Sequence, residues 1–356
     1  MNNSTRLIFI CPRLSGAGGT EMALVKAANC LSNNYSVEII LPNRPENSSW
    51  TRKLNDCAVL TQGNFNNPVK KMLYLTSVFL HAGTNDCFII LAANVVRIAT
   101  LIRKVFHRKY KVASWIHYSL NDQQMFDPEN ILTADRHWAI SSCIRGQLVD
   151  RGVANDKIDV VYNAVDKYCG PLNVPVSDDG LRLVFIGRIE LYGQKNLFEI
   201  LKAIAQSNRT IYLDLYGTVK DQQDWDNVVE SLKLKDRIHM HGWVADPWED
   251  ALINVHPAAV VLTSKFEGLP MTFLEGLCRG VPVISSDFDG VHDIVEDGVN
   301  GYIYHRGNIA ALCEAIKALE DTHFVPEEVA ATVDKFSLSK YQCRLENAVK
   351  KLENDG

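Results

Sequence analysis

Two glutamates lie eight positions apart in the segment SKFEGLPMTFLEG, residues 264–276. Glu267 precedes a glycine–proline turn, and Glu275 lies about one turn into a helix that we expect to begin near Met271. An ionised carboxylate only accepts hydrogen bonds, so it suits hydroxyl donors, whereas the unpaired amides of a helix's first turn suit phosphate. The segment predicts one wall of a site for a ligand that carries both groups. The alternative is a surface acid and a helix cap.

A pair of cations opens the second half of the chain, in GRIELYGQKN, residues 187–196. Arg188 and Lys195 lie on a loop that leaves a predicted strand, where they could hold a diphosphate from two sides. Charge-assisted hydrogen bonds of this kind contribute roughly 1.5–3 kcal/mol each. Together with the two glutamates, the layout fits a nucleotide sugar, which has a diphosphate between two sets of hydroxyls. The alternative is two solvated surface cations.

A glycine-rich loop follows the first predicted strand, in CPRLSGAGGTE, residues 11–21. Its glycines would let backbone amides approach an anion at a helix N-terminus. A dinucleotide fingerprint would need a third glycine where Glu21 stands, and an acid at the end of the second strand, which ends in Leu41 and Pro42. A dehydrogenase is therefore disfavoured, and a tight strand-to-helix turn remains the alternative.

A single histidine, His117, ends the apolar run YKVASWIH. A histidine at the end of a parallel strand could donate to a sugar hydroxyl or interact with developing charge, and the alternative is a packed or surface residue. The other histidines show no metal-ligand spacing, and the motifs of serine hydrolases, zinc proteases and P-loop proteins are absent from the sequence.

Strand-like apolar runs alternate with helix-like stretches along the chain, which predicts parallel sheets with right-handed crossovers. The runs are 6–12, 36–42, 86–92, 110–117, 136–142 and 157–163 in the first half, and 181–188, 211–217, 237–243, 258–264 and 281–286 in the second. The proline- and glycine-containing segment 169–180 predicts a linker, and 339–354 a terminal helix. We expect two doubly wound α/β domains facing a cleft, with ligands at the carboxyl ends of the strands.

Composition and charge restrict the class of protein. The length of 356 residues suggests two domains, and nine cysteines without a C-x-x-C pair favour a reducing compartment. We expect neither a secretory signal in MNNSTRLIFICP nor a membrane span. Residues 1–170 carry 19 basic and 13 acidic residues, against 18 and 29 in the rest, which indicates an anionic partner for the first half. The basic, apolar segment 97–111 predicts either a membrane-surface helix or an ordinary amphipathic helix.

With these residues assembled, the chain resembles the retaining glycosyltransferases of glycosyltransferase family 4, which have the GT-B fold. The E-x7-E element formed by Glu267 and Glu275, the GRIELYGQK segment, the GAGGTE loop and His117 carry the resemblance. It implies an N-terminal acceptor-binding Rossmann-like domain over 1–169, a C-terminal nucleotide-sugar domain over 170–335, and a helix over 336–356 that packs back on the N-terminal domain.

The resemblance also implies residue roles. Arg188 and Lys195 would bind the donor diphosphate and stabilise the leaving UDP, while Glu267 would contact the transferred sugar and Glu275 the ribose. His117 would lie near the donor sugar and support an oxocarbenium-like transition state. The other donor-binding positions, which meet the phosphates or the base, would be Gly16, Gly18, Gly19, Gly187, Gly242, Trp243, Val244, Gly268, Leu269, Pro270, Met271 and Thr272. No metal or other cofactor is expected, because the cations and helix amides replace it. One residue more than the commoner family spacing separates Arg188 from Lys195.

Within the family the chain resembles the lipopolysaccharide core α-1,6-galactosyltransferases, through the runs SWIHYSL, AISSCIRGQLVDRGVA, GQK, DPWE and FEGLPMTFLE. The resemblance implies transfer of a hexose, with galactose favoured, from a UDP-sugar to a lipopolysaccharide core or other lipid-linked glycan. The enzyme would act in the cytoplasm, peripherally on the inner membrane, without nucleic acid. The alternatives are UDP-glucose or UDP-N-acetylhexosamine donors on an O-antigen or capsule intermediate, an epimerase or donor hydrolase, and a non-catalytic UDP-sugar-binding module.

Overall fold

A computed structural model of the chain describes residues 5–11, 14, 19–56, 58–65, 67–121, 126–173 and 180–355. The chain divides into two compact units: unit 1 comprises residues 1–164 and 338–356, and unit 2 comprises residues 165–337. The division lies five residues before the boundary expected from the sequence. The terminal helix belongs to unit 1.

The strands all run parallel to their neighbours. Unit 1 contains β1 (Arg6–Ile10), β2 (Ser36–Leu41), β3 (Ala58–Gln62), β4 (Asp86–Ile90), β5 (Lys111–Ile116), β6 (Arg136–Ala139) and β7 (Ile158–Val160). Unit 2 contains β8 (Leu181–Ile186), β9 (Ile211–Tyr216), β10 (Ile238–Gly242), β11 (Ala259–Leu262), β12 (Val283–Ser286) and β13 (Gly301–Tyr304). Each apolar run expected to form a strand does so, and β3 and β13 are additional.

The α-helices follow the strands as the crossover rule requires. In chain order they are α1 (Gly19–Leu31), α2 (Pro68–His81), α3 (Ala93–Val105), α4 (Ser142–Asp150), α5 (Phe198–Gln206), α6 (Gln222–Ser231), α7 (Pro247–Asp250), α8 (Met271–Leu277), α9 (Ile309–Asp321), α10 (Pro326–Ala331) and α11 (Leu338–Glu353). The last of these packs on α1 within unit 1.

The strand order is that of a doubly wound sheet in both units. It is β3-β2-β1-β4-β5-β6-β7 in unit 1 and β10-β9-β8-β11-β12-β13 in unit 2. The direction of winding reverses between β1 and β4, and again between β8 and β11. Ligands of such sheets bind outside the carboxyl ends of the strands at this switch point. The predicted fold of two doubly wound α/β domains is confirmed. In unit 2 the switch point lies between the strands that precede GRIELYGQKN and SKFEGLPMTFLEG.

The segment 97–111 is only partly helical, which corrects the expectation of one amphipathic helix across it. Helix α3 ends at Val105, and Lys111 already begins β5. Its cations also divide: Arg103 pairs with Asp135, and Arg108 donates to the carbonyl of Ala82, so neither belongs to a free cationic rim. Three apolar residues at this end of α3 are nevertheless more than half exposed: Leu101, Val105 and Phe106.

No helix in the described part of the chain is long and apolar enough to cross a membrane. The eight cysteines that the structure describes are all free thiols, and four of them are buried: Cys11, Cys30, Cys87 and Cys278. Burial raises the pKa of the Cys87 thiol to about 12, so this side chain acts as a small apolar residue of the sheet.

Candidate functional site

The two loops that leave β8 and β11 meet at the switch point of unit 2. The strands are neighbours in the sheet, so their carboxyl ends lie side by side. The hydroxyl of Thr263, just after β11, donates to the backbone carbonyls of Lys195 and Asn196 at 3.0 Å each. Asn196 has a positive φ of 51°. These bonds fix the loop after β8 against the end of β11, and they hold the side chain of Lys195 beside the segment that contains Glu267.

Lys195 and Glu267 form an ion pair, with 2.7 Å between Nζ and Oε1. Their side chains are only 16% and 10% exposed, so solvent screens the pair less than a surface pair. An ammonium has three N–H donors and this contact uses one of them. The lysine can therefore keep its contact with Glu267 and still donate to a bound anion.

Gln194 joins the arginine to the same glutamate. Its Oε1 accepts from Nη2 of Arg188 at 3.1 Å, and its Nε2 donates to the carbonyl of Phe266 at 2.9 Å and to Oε2 of Glu267 at 3.4 Å. The sequence predictions assigned no role to Gln194. The only signal in the sequence was its place in GQK, directly before the lysine. Its contacts could not be predicted, because they depend on how the two loops meet.

Arg188 is the exposed member of the group, with 68% of its side chain accessible. Besides Gln194, it faces Glu190 at 3.6 Å, and Lys220 faces the same buried carboxylate at 3.4 Å. The guanidinium has five N–H donors in a planar fork, which matches the oxygens of a phosphate. Arg188 is thus oriented on one side and accessible on the other.

The approach of two backbone turns next to the cations requires glycine. A Cβ atom at Gly217 would lie 1.8 Å from the carbonyl oxygen of Gly187, and both residues have φ near +150°. At Gly187 a Cβ would also contact Lys195 at 3.8 Å. A side chain at position 217 would therefore push the end of β8, and the cations that follow it, out of place.

Helix α8 begins at Met271, as expected, after the turn of Gly268, Leu269 and Pro270. Pro270 is its N-cap and offers no side-chain hydrogen bond, and Met271 and Thr272 are half-buried. Glu275 is the fifth residue of the helix, and its Oε2 accepts from the indole N–H of Trp248 at 3.1 Å. Trp248 lies in the DPWE run and is another partner that the sequence predictions missed.

The segment 242–244, predicted to hold the base, begins at Gly242, the last residue of β10 in the same sheet. Gly242 has a φ of +71°, and the side chain of Trp243 is 70% exposed. In the preceding residue, His241 Nε2 lies 2.7 Å from Asp214 Oδ1, and the imidazole stacks on Tyr216 with 4.3 Å between ring centroids. An exposed indole next to such a well-anchored residue is suited to contact a planar base.

His117 lies at the carboxyl end of β5 in unit 1, where it is 9% exposed and its ring contacts Trp115. Its Nε2 has no hydrogen-bond partner among the described residues. Burial lowers the pKa of His117 to about 3, so the imidazole is neutral near pH 7. Of the glycine loop, Gly19 is the first residue of α1, while Gly16 and Gly18 lie outside the described residues.

Among the described residues there is no group of three or more His, Cys, Asp or Glu side chains arranged to bind a metal ion. The carboxylates that approach the candidate site are paired with nitrogen donors instead: Glu267 with Lys195 and Gln194, and Glu275 with Trp248. The expectation of metal-independent chemistry stays a prediction.

Comparison with known proteins adds to this geometry. A family model described as glycosyl transferases group 1 matches residues 174–336. The chain is 34% identical over 242 residues to a lipopolysaccharide 1,6-galactosyltransferase of Escherichia coli strain K12, covering 67% of each protein. It is 28% identical over 312 residues to the protein of the same name from Salmonella typhimurium strain LT2, covering 85% of this chain and 86% of the relative.

Solved structures show the same similarity. A lipopolysaccharide outer core galactosyltransferase, WaaB, superposes with a TM-score of 0.86 at 25% identity, covering 97% of this chain and 99% of that one. Anabaena Alr3699/HepE in complex with UDP superposes with a TM-score of 0.77 at 16% identity, covering 97% and 100%. At that identity, the second likeness shows a shared fold only.

Proposed function

The chain belongs to the glycosyl transferases group 1 family and is a glycosyltransferase of the GT-B fold, and we propose that its donor is UDP-galactose. Its acceptor would be a lipopolysaccharide core, to which it transfers galactose in an α-1,6 linkage with retention of the anomeric configuration. Similarity to two lipopolysaccharide 1,6-galactosyltransferases and to WaaB supports the substrates. The observation that carries the proposal is the Lys195–Glu267 pair at 2.7 Å, to which Gln194 joins Arg188.

The cations suit the leaving group. Arg188 and Lys195 would donate to the diphosphate of UDP and stabilise the negative charge that grows on it as the glycosidic bond breaks. The amides of Met271 and Thr272 would add donors without a net charge. Because charge stabilisation comes from these groups, we expect transfer to continue when divalent metal is chelated.

The acids suit the two sets of hydroxyls. Glu267 lies beside the lysine and would accept from hydroxyls of the transferred sugar, whereas Glu275, fixed by Trp248, would accept from the ribose. Trp243 and its neighbours would contact the base. We propose that the acceptor hydroxyl attacks on the face from which UDP leaves and that its proton passes to the departing phosphate, so no protein nucleophile is needed. His117 would lie near the donor sugar and support the oxocarbenium-like transition state as a neutral imidazole.

A membrane-surface location would bring the enzyme to a lipid-linked acceptor. Helices α2 and α3 contact each other and contain no Asp or Glu. They expose Val69, Met72, Leu73, Leu101 and Val105, together with Lys70 and Lys104. Apolar side chains with basic neighbours suit the surface of an anionic bilayer. We propose that this face, which extends beyond the segment singled out in the sequence, docks on the cytoplasmic leaflet of the inner membrane.

The test is a panel of UDP-galactose, UDP-glucose and UDP-N-acetylhexosamines against a truncated lipopolysaccharide core, with the product linkage read by NMR and parallel reactions in EDTA. An α-1,6-galactosyl product is expected. Preference for another UDP-sugar would overturn the choice of galactose, and a β-linkage would overturn retention. Complete turnover of UDP-sugar without acceptor would identify an epimerase or hydrolase, and tight binding without turnover would identify a binding module.

A further inference from the structure

A second cationic site lies in unit 1, at the edge of the sheet where β5 begins. It is an open cavity of about 710 Å³ whose lining includes five basic side chains: Arg103, Arg108, Lys109, Lys111 and Lys157. This volume falls within the range of small-molecule sites in proteins, roughly 300–1,000 Å³. No function described above uses it.

The carboxylates in the lining neutralise only part of this charge. Asp135 accepts from Arg103, with 2.8 Å between Oδ1 and Nη2, and from the backbone N–H of Val112. Asp355 pairs with Lys157. With two acids against five bases, the lining retains an excess of three positive charges.

The three unneutralised cations have N–H donors to spare. Arg108 donates to the carbonyl of Ala82, and Lys111 to the backbone carbonyl of Asp355, so both are oriented by neutral groups. Lys109 is exposed and has no hydrogen bond or ion pair to another described residue. A guanidinium has five N–H donors and an ammonium three, so these groups can bind an anion without giving up the contacts that orient them.

The cavity is separate from the carboxyl edge of the same sheet. Lys111 is the first residue of β5, and His117 follows the last residue of that strand. Six residues of extended strand span about 20 Å. A ligand in the cavity is therefore out of reach of the residues at the carboxyl edge of unit 1.

We propose that this cavity binds the phosphate group of an anionic ligand. A phosphate monoester carries a charge of about −1.5 to −2 near pH 7 and three acceptor oxygens, which matches several converging cations better than a carboxylate does. The phosphate has two possible sources: a soluble phosphate compound, or the headgroup of a phospholipid. The exposed side chains of Val105 and Phe106, which shortly precede Arg108 in the chain, are the reason to test the lipid.

The experiment measures binding to the full-length chain in two arms. One arm titrates inorganic pyrophosphate by calorimetry, in a Lys195→Ala background so that the candidate donor site contributes less. The other measures sedimentation with vesicles of phosphatidic acid, whose phosphate is a monoester, and phosphatidylcholine, against phosphatidylcholine alone. The test variant is Lys109→Glu, whose exposed position keeps the fold intact. The matched control for the pyrophosphate arm is Lys104→Glu, which lies outside the cavity lining. The control for the vesicle arm is Lys235→Glu, which lies in unit 2.

We expect Lys109→Glu to weaken binding in at least one arm about tenfold or more, since it lowers the excess charge of the lining from three to one. The controls should change binding less than about twofold, and added salt should weaken it. Loss confined to pyrophosphate identifies a soluble ligand, and loss confined to anionic vesicles identifies a lipid headgroup. Absence of binding in both arms, or equal loss in test and control variants, overturns the proposal.

Discussion

The ammonium of Lys195 lies 2.7 Å from the carboxylate of Glu267, so the cation expected to face the diphosphate and the acid expected to face the sugar are one another's partners. The pair limits the rotamers of both side chains. It also means that neither residue can be replaced without altering the other, because removal of one leaves a shielded charge without its partner.

Replacing Lys195 with Ala should lower the transfer rate about 10²–10³-fold, because the cation proposed to stabilise the leaving diphosphate is lost. It should also lower the free energy of unfolding by about 1–3 kcal/mol, because Glu267 loses its partner. Initial rates and urea unfolding measure the two effects. Lys317→Ala, an exposed lysine on α9, is the control and should change neither. Undiminished transfer by Lys195→Ala would remove the lysine from the mechanism.

Replacing Gln194 with Ala should raise KM for the UDP-sugar about tenfold, because Arg188 loses one of the contacts that aim it. Gln194→Glu should keep the contact with Arg188 but place a second carboxylate against Glu267, so kcat should fall further than in the alanine variant. Steady-state kinetics separate the two parameters. Equal effects of both substitutions on kcat and KM would mean that Gln194 only maintains the fold of the loop.

Replacing Trp243 with Ala should weaken donor binding about tenfold if the indole stacks on the base, since such stacking contributes roughly 1–3 kcal/mol. Stability should change by less than about 0.5 kcal/mol, because the side chain is 70% exposed. Calorimetric titration with UDP measures the affinity. Met240→Ala, which removes an exposed side chain from β10, should leave the affinity for UDP unchanged. Unchanged UDP affinity in the tryptophan variant would place the base elsewhere.

The stability of the protein should fall as the pH drops from about 6.5 towards 4. Burial lowers the pKa of His117 to about 3 and that of His137 to about 4. The unfolded chain, with an ordinary histidine pKa near 6.5, therefore binds more protons than the native state in this window. Each histidine should contribute a slope of about 1.4 kcal/mol per pH unit.

Urea unfolding of His137→Asn at pH 7, 6 and 5 tests this, because asparagine can still bond to Ser114. Its slope should be shallower than that of the parent protein by the amount of one histidine. An unchanged slope in His137→Asn would show that this imidazole accepts a proton in the folded state.

The paired substitution of Leu73 and Leu101 by Gln should reduce binding to anionic vesicles about tenfold or more, since burying a leucine side chain contributes roughly 1.5–3 kcal/mol. Both residues are well exposed, so the fold should be unaffected. Vesicle sedimentation is the measurement. Ile253→Gln, at another exposed position in unit 2, is the control. Retained vesicle binding in the double variant would remove α2 and α3 from the docking face.

The two doubly wound domains could be predicted from the sequence, because buried parallel strands leave long apolar runs. The family resemblance, which depends on motifs, is confirmed by the comparisons. The sequence analysis missed β3 and β13, which are edge strands: β3 contains Val59 with 60% exposure, and the two middle residues of β13 are only half-buried. Arg188, Lys195 and Glu267 were predicted as site residues from residue type and place at strand ends, and the structure brings them together through Gln194. The partners Gln194 and Trp248 were not, because a neutral amide and an indole show their purpose only when distant segments meet. The roles in catalysis stay predictions.

Helix α11 completes unit 1 from the far end of the chain, because unit 1 is formed by residues 1–164 and 338–356. Its side chains Tyr341, Leu345, Val349 and Leu352 are buried within that unit, and Lys351 pairs with Asp159 at 2.8 Å. The ribosome, however, makes residues 338–353 only after all of unit 2 has been synthesised. During translation the first unit must therefore wait with an uncovered apolar surface while the second, continuous unit folds, and a chain released before α11 would contain a complete unit 2 and an unfinished unit 1.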